Sequence, residues 1–589
     1  MTTATLLEEE LTAVQLGASW LEDLTHFLEE GVGAEDVIGE NATWRDVLAL
    51  SWEFTNYVGR DAIVDGLAAL RSTARPRNIA ITKRQLPQSF FGGVLVFFDF
   101  ETQDRVARGY ARLDENEDGV WRASTVLTQA EDLIDHPKAT GRNRVQGKVH
   151  GYVPGRTRWS ADRTEESAFS STDPSVVVVG AGHNGLSVAA QLKVLGVPTL
   201  VIDKVARVGD TWRTRYQSLA LHSLMNADHL AYYPFPPSWT EHTPKDKFAD
   251  HLESYANAMD LAVWPGTSIV DIAFDEPKQR WNLRLRRPDG TLRTLHPRHV
   301  VFATGLNGKP RIPHVDKLES FTGVVEHSGE FQGGADFEGK KVIVVGSGVS
   351  GHEIAHDLHE HGAEVTMLQR SATYVINFTT FTELWYGIFG PDSEIPIEFA
   401  DMVFHSMPLQ TTWDLNKSLV AQAKEIDKEL LDGLEAHGFK LEWGPDGTGL
   451  IGKHLFEGRD SYQINCGASE LIADGSIAVQ NGVTIASAKR RSIVLSDGTE
   501  LDADAIIFAT GYEPLFDSIK TLLGASAEKV TKVYGLAEDG EYSETWRRSG
   551  QPGLWFATGF VAIARYYSHA LALQIRAIEL GLIPFDPAK

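Results

Sequence analysis

A chain of 589 residues outgrows a single hydrophobic core and calls for about three or four domain-sized units. Its formal net charge of −25 repels nucleic-acid backbones and acidic membranes, and 42% hydrophobic with 23% charged residues describes a globular, water-soluble protein. Cys466 is the single cysteine, which excludes an intramolecular disulfide, a multi-cysteine zinc site and a Cys-x-x-Cys redox centre; no metal is expected, and a cytoplasmic location fits best.

The first twenty residues carry Glu8, Glu9 and Glu10 where a secretory signal would carry basic residues, so no export signal is read there. From about Glu8 to His136 helical patterning gives way to strands, as in Trp44–Trp52 followed by Gly93–Phe100 and Gly109–Asp114, which predicts a small α+β domain over 1–137. The stretch 138–173 is polar, rich in Gly, Arg, Ser and Thr, and without sustained period, hence a linker ending at Asp173-Pro174.

The run Val176–Ala190 then carries a buried apolar strand into Gly180, Gly182 and Gly185 and on into a small-residue helix. This is the dinucleotide fingerprint: the first glycine permits a tight turn, the second lets a pyrophosphate approach the backbone, and the third lets helix and strand pack closely. The next strand, Thr199–Ile202, ends at Asp203, whose carboxylate suits the hydroxyls of an unphosphorylated ribose, as in FAD or NAD.

The unit recurs at Lys341–Ala355 with Gly346, Gly348 and Gly351 in the same spacing, accompanied by Ser347 and Ser350. Counting from the first glycine, Gln369 stands where Asp203 stood, and Arg370 and Ser371 follow. The acid that would repel a 2′-phosphate is replaced by a guanidinium and a hydroxyl beside it, which points to NADPH. Near the C-terminus, Val561–Ile583 is apolar but interrupted by Arg565, His569, Arg576 and Glu579, which reads as an amphipathic helix and no membrane anchor.

Two such cradles serve reductases and oxygenases alike, and here a resemblance narrows the choice. Phe321, Gly323, His327 and Phe331 match the fingerprint Phe-x-Gly-x-x-x-His-x-x-x-(Tyr/Phe) of the flavin-containing monooxygenases, whose Baeyer-Villiger relatives normally carry Trp before Pro or Asp where this chain has Phe331-Gln332. Arg207–Arg213, Phe302–Gly305, Phe508–Tyr512 and Arg565–Gln574 extend the likeness, and Arg215–His222, Tyr233–Pro236 and Pro244–Lys247 look similar to indole-3-pyruvate monooxygenases. Thr43–Leu70 resembles nuclear-transport-factor-like or SnoaL-like domains, whose sheet wraps a cone-shaped cavity.

The resemblance to class B flavoprotein monooxygenases implies an α/β fold of two Rossmann-like domains behind that small α+β domain. It implies FAD-binding segments over 174–335 and 501–589, and an NADPH-binding domain over 336–500 whose aromatic, helical region 378–463 closes over the substrate. The implied chemistry is reduction of FAD by NADPH, addition of oxygen at flavin C4a, and transfer of one oxygen atom from the (hydro)peroxyflavin to a small molecule, foremost at nitrogen or sulfur. Alternatives are Baeyer-Villiger oxidation of ketones, oxidation of a 2-oxo acid such as indole-3-pyruvate, and a plain NADPH-dependent flavin reductase or oxidase.

The same resemblance points to Asn226, Trp212 and His327 as catalytic, with His327 also open to a supporting role at the domain junction. It adds Lys204, Gly209, Thr211, Trp212, His222, Thr304, Gly305, Thr510, Gly511, Ser568 and Gln574 to the glycines, serines, Asp203 and Arg370 as cofactor contacts. The partners expected are a small substrate and O2, with a homodimer through the N-terminal domain as one use of that extra unit.

Overall fold

The computed structural model describes residues 3–148, 150–457 and 462–586. In the N-terminal unit the helices Thr3–Glu30 and Arg60–Ala74 cover one face of a seven-stranded sheet. Only the Ile38–Val47 and Trp121–Leu133 strands pair in parallel; their neighbours run antiparallel. Side chains alternate along the strand Gly93–Glu101, so Val94, Val96 and Phe98 pack beneath the helices while Leu95 and Phe97 turn to the opposite face. That opposite face is also covered, by the rest of the chain, which is why this strand reads as an unbroken apolar run.

The remaining chain builds two five-stranded parallel sheets of the same design. In the first, the order is Ala262–Trp264, Thr199–Ile202, Val176–Val179, His299–Phe302, Leu554–Phe556. In the second it is Ala478–Asn481, Glu364–Gln369, Lys341–Val345, Ala505–Phe508, Val324–His327. Each glycine finger therefore leaves the central strand, at the crevice beyond the carboxyl ends where parallel α/β sheets bind ligands. A three-stranded antiparallel ribbon accompanies each sheet, over 268–295 and 485–502.

The second sheet reaches beyond the expected segment 336–500, because Val324–His327 and Ala505–Phe508 pair with its finger strand or with each other. Hydrophobic strands of both segments look alike, so pairing partners are not readable from composition. The polar stretch 138–173 contains an exposed helix, Trp159–Ala168, that its composition did not suggest. Val561–Leu580 is a helix with nearly its whole circumference buried, not an amphipathic one: it lies against the finger helix His183–Val194 and under the N-terminal unit, so even Arg565 and Gln574 are enclosed. Between Tyr374–Asn377 and Tyr462–Asn465, the helices Phe378–Tyr386, Ile397–Phe404, Thr412–Ile426 and Lys428–Ala436 form the inserted layer.

Candidate active site

The duplicated strand-turn-helix places equivalent glycines in equivalent strain. Gly180 and Gly346 sit at φ of 113° and 119°, and an added Cβ would lie 2.4 Å from the Ala303 carbonyl oxygen or 2.3 Å from that of Ala509. At Gly185 and Gly351 a Cβ would meet the carbonyl oxygens of Gly180 and Gly346 at 1.9 and 2.1 Å, so each helix is pressed onto its own turn. Gly182 is different: nothing lies within 4 Å of its missing Cβ. That open cradle faces the N-terminus of the helix His183–Val194, whose first amide protons have no helical acceptor, and a pyrophosphate fits it.

The acids and amides at the tips of the second strands differ as the ligands require. Asp203 accepts hydrogen bonds from the backbone N–H of Ala181 at 2.6 Å and of Val205 at 3.0 Å, which fixes its carboxylate against the first finger with lone pairs left for a diol. Gln369 is fully buried, donates to the Lys440 carbonyl and accepts from the Lys440 N–H, so its amide serves the fold and leaves the crevice. Arg370 and Ser371 beside it are exposed, and Ser347 is held by Thr373 at 2.7 Å between the hydroxyls.

One continuous cavity of about 2450 Å³ joins the two cradles. Of the expected residues it gathers Gly180, Gly182, Asp203, Lys204, Thr211, Trp212, His222, Thr304 and Gly305 from the first unit. From the second it gathers Gly346, Ser347, Gly348, Ser350, Arg370, Ser371, Thr510 and Gly511. Trp212 packs against Phe248 in a T-shaped contact at 5.0 Å while the residue still borders the cavity.

Other expected residues stand elsewhere. Gly209, at φ 91°, packs the short helix Asp210–Arg213 against the Ala249 carbonyl, 2.5 Å from its missing Cβ, and does not line the cavity. His327 is buried with both ring nitrogens engaged: Nδ1 faces the Gly329 N–H at 3.1 Å and Nε2 the Gly511 carbonyl at 3.1 Å. Its ring thus links neighbouring strand ends, and it does not line the cavity. The Asn226 amide donates to the Phe389 carbonyl at 3.1 Å, outside the cavity lining. Ser568 and Gln574 are enclosed within the last helix, bonded to the carbonyls of Arg565, Trp546 and Ala570, and do not line the cavity.

Several lining groups had no sequence signal. Glu353, two residues past the second finger's last glycine, pairs with His222 Nε2 across the two units. Burial pushes the Glu353 carboxyl up to about 8 and the His222 imidazole down to about 4, so at neutral pH the proton between them rests on Glu353. Asp228 is buried, accepts from the Ser223 hydroxyl at 2.6 Å, and is pushed up to about 7 by burial. Arg565, which opens the Arg565–Gln574 stretch and lies behind the cavity lining, donates to both oxygens of Asp401 and to the carbonyls of Asn226, Ala227 and His229.

A third Phe-Ala-Thr-Gly, Phe556–Gly559, did have a signal: it repeats Phe302–Gly305 and Phe508–Gly511, and each ends a parallel strand. The Gly559 carbonyl receives His183 Nε2 at 2.9 Å and Asn184 Nδ2 at 3.2 Å, locking the last strand onto the first finger.

A sequence profile of the pyridine nucleotide-disulphide oxidoreductases matches residues 177–381. The chain is 33% identical over 393 residues to indole-3-pyruvate monooxygenase YUCCA1 of Oryza sativa subsp. japonica, spanning 66% of this chain and 86% of that one. It is 33% identical over 342 residues to the probable indole-3-pyruvate monooxygenase YUCCA3 of Arabidopsis thaliana, 57% of this chain and 72% of that one. Its fold matches the crystal structure of OTEMO in complex with FAD and NADP, at TM-score 0.50 and 17% identity over 69% of this chain and 86% of that one. Two nucleotide cradles on one cavity and identity at a third of the positions aligned with such a relative place the chain in the class B flavin monooxygenases, enzymes that work with FAD and NADPH.

Proposed function

We propose that this enzyme holds FAD in the cradle at Gly182 and NADPH in the cradle at Gly348, and inserts one oxygen atom at the sulfur or nitrogen of a small hydrophobic molecule. The observation that carries the reading is the single cavity joining both cradles to an aromatic wall formed by Trp385, Tyr386, Phe404 and Phe560. Bound FAD and NADPH supply two electrons and the activation of O2; the substrate takes one oxygen atom and the other leaves as water.

The chain's own groups supply binding, orientation and dryness. Asp203 orients the adenosine ribose of one nucleotide, and the exposed guanidinium of Arg370 takes the 2′-phosphate of the other. The aromatic wall excludes water, which strengthens every electrostatic interaction inside. The proton shared by Glu353 Oε1 and His222 Nε2 keeps that pair uncharged, and Asp228 holds a proton that neutral pH can remove. We read the N-terminal unit, a seven-stranded sheet covered on one face by helices, as nuclear-transport-factor/SnoaL-like.

Purified enzyme given NADPH, oxygen-18 gas and a panel of sulfides, amines, ketones and 2-oxo acids tests the proposal by product mass. One heavy oxygen in a sulfoxide or N-oxide is expected. A second reading, oxidation of an aromatic 2-oxo acid, draws on the likeness to the indole-3-pyruvate monooxygenases, and product from those acids alone would replace the first. NADPH consumption with no labelled product from any class refutes both.

A further inference from the structure

The N-terminal sheet turns one face to its own helices and presses the other against the oxygenase body of the same chain. There it meets the segment 397–407, the helix Ile397–Phe404 and the turn after it, from which Val403, Phe404, His405 and Met407 border the cavity. We propose that the N-terminal unit is a working wall of the substrate chamber, and that Arg45 and Phe97 are the positioning residues through which it holds this segment in place.

Arg45, on the strand Ile38–Val47, is 1% exposed. Its Nε and Nη2 donate to the two oxygens of Glu541 at 2.7 and 2.6 Å, Nη1 donates to the His405 carbonyl, and Nη2 also reaches the Tyr567 hydroxyl at 2.8 Å. One guanidinium thus ties the N-terminal sheet to the inserted layer, to the loop before the last strand and to the last helix. Phe97 meets Phe399 at 4.8 Å between ring centres, Arg108 lies over the same ring at 5.0 Å, and Arg84 pairs with Glu398. On its other side the helix is held by Arg565, which grips Asp401 at 2.7 and 2.6 Å. The segment is clamped between two buried guanidinium groups, one from each unit.

The arrangement bears on chemistry because Arg45, Tyr110 and Thr125 of the N-terminal unit border the same cavity as the glycine fingers. A planar guanidinium that fixes three partners at once loses less freedom per bond than separate contacts would, which suits a wall that must stay shut. This inference rests on the proposed oxygen transfer for its consequence: if segment 397–407 loosens, water enters, and the two electrons of NADPH reduce O2 to hydrogen peroxide with the uptake of one further proton, leaving substrate untouched.

The test uses the full-length, flavin-loaded enzyme and two variants. The pair Arg45→Met/Glu541→Gln removes the clamp without stranding a buried charge, and Phe97→Leu removes the ring contacts with Phe399 and Tyr110 and no charge. Amide hydrogen exchange should be roughly tenfold faster at 397–407 in both, with the two parallel sheets unchanged. With methyl phenyl sulfide as probe, the share of NADPH recovered as hydrogen peroxide should rise at least about threefold, while anaerobic reduction of the flavin by NADPH stays within about twofold. Unchanged exchange at 397–407 in Phe97→Leu, exchange raised equally in the parallel sheets, or a loosened segment with no extra peroxide overturns the proposal. Failure of the oxygen-transfer reading is a separate result, namely no labelled product from the unaltered enzyme, and it leaves the exchange difference standing.

Discussion

Replacing Gly182 by alanine separates the fold from the flavin. Gly182 has φ −80° and ψ −179°, extended backbone that any residue adopts, and the space beyond its missing Cβ is open to 4 Å. The cost to the empty protein is therefore the difference between glycine and alanine at a helix N-cap, about 0.5–1 kcal/mol. The methyl group instead fills the approach to the first amides of the helix His183–Val194. Charge-assisted hydrogen bonds contribute about 1.5–3 kcal/mol each, so losing two weakens flavin binding by about two to four orders of magnitude. Saturating ligand at about a hundred times its Kd raises stability by about 2.7 kcal/mol, or roughly 5–10 °C for a domain of this size. The assay is a thermal melt with and without added FAD, beside the absorbance of the purified protein. Gly182→Ala should be colourless, melt about 1–4 °C below the flavin-stripped wild type, and gain nothing from FAD. A yellow variant with full flavin content, or a flavin-free form that no longer folds, would refute the reasoning.

Arg370→Ala should weaken NADPH at least about tenfold in a binding titration and leave NADH unchanged, since only the 2′-phosphate distinguishes the two; equal losses for both would remove Arg370 from that site. Arg565→Leu strands the Asp401 carboxylate in the core and should cost about 3–5 kcal/mol in denaturant unfolding, with much of it recovered in Arg565→Leu/Asp401→Leu. Glu353→Gln tests the buried pair through pH. In the wild type the folded Glu353 keeps a proton up to about 8 that the unfolded chain has already released, so stability falls as pH rises through that range, by at most about 1.4 kcal/mol per pH unit. His222, neutral when folded down to about 4, acts in the opposite sense up to its ordinary 6.5, so the two offset at low pH and the net loss lies between 6.5 and 8. Melting curves of Glu353→Gln and wild type should draw together or cross in the variant's favour over that window, and parallel curves would refute the pairing.

What the sequence disclosed is what local backbone chemistry dictates. Gly180, Gly185, Gly346 and Gly351 are glycine because a Cβ would strike a carbonyl a few residues away or at the adjoining strand end, so spacing alone carried them. Asp203 and Gln369 were comparable because each closes the strand after its finger, a fixed distance along the chain. The motif Phe321–Phe331 marked the family, but what His327 does depends on Gly511, 184 residues later, and no spacing rule reaches that far. The same holds for Glu353 with His222 and for Arg45 with Glu541, 496 residues apart: each charge looks like a solvated surface residue until the fold buries both partners together. Ser568 and Gln574 run in the opposite direction, polar residues within a family motif whose hydroxyl and amide bond carbonyls in and beside the enclosed last helix. Because a buried ion pair costs more to strand than it contributes when made, such long-range pairs resist piecemeal change. The cradles are thus written locally and can be read locally, whereas the chamber they serve is held by Arg45, Arg565 and Glu353, whose partners only the folded chain supplies.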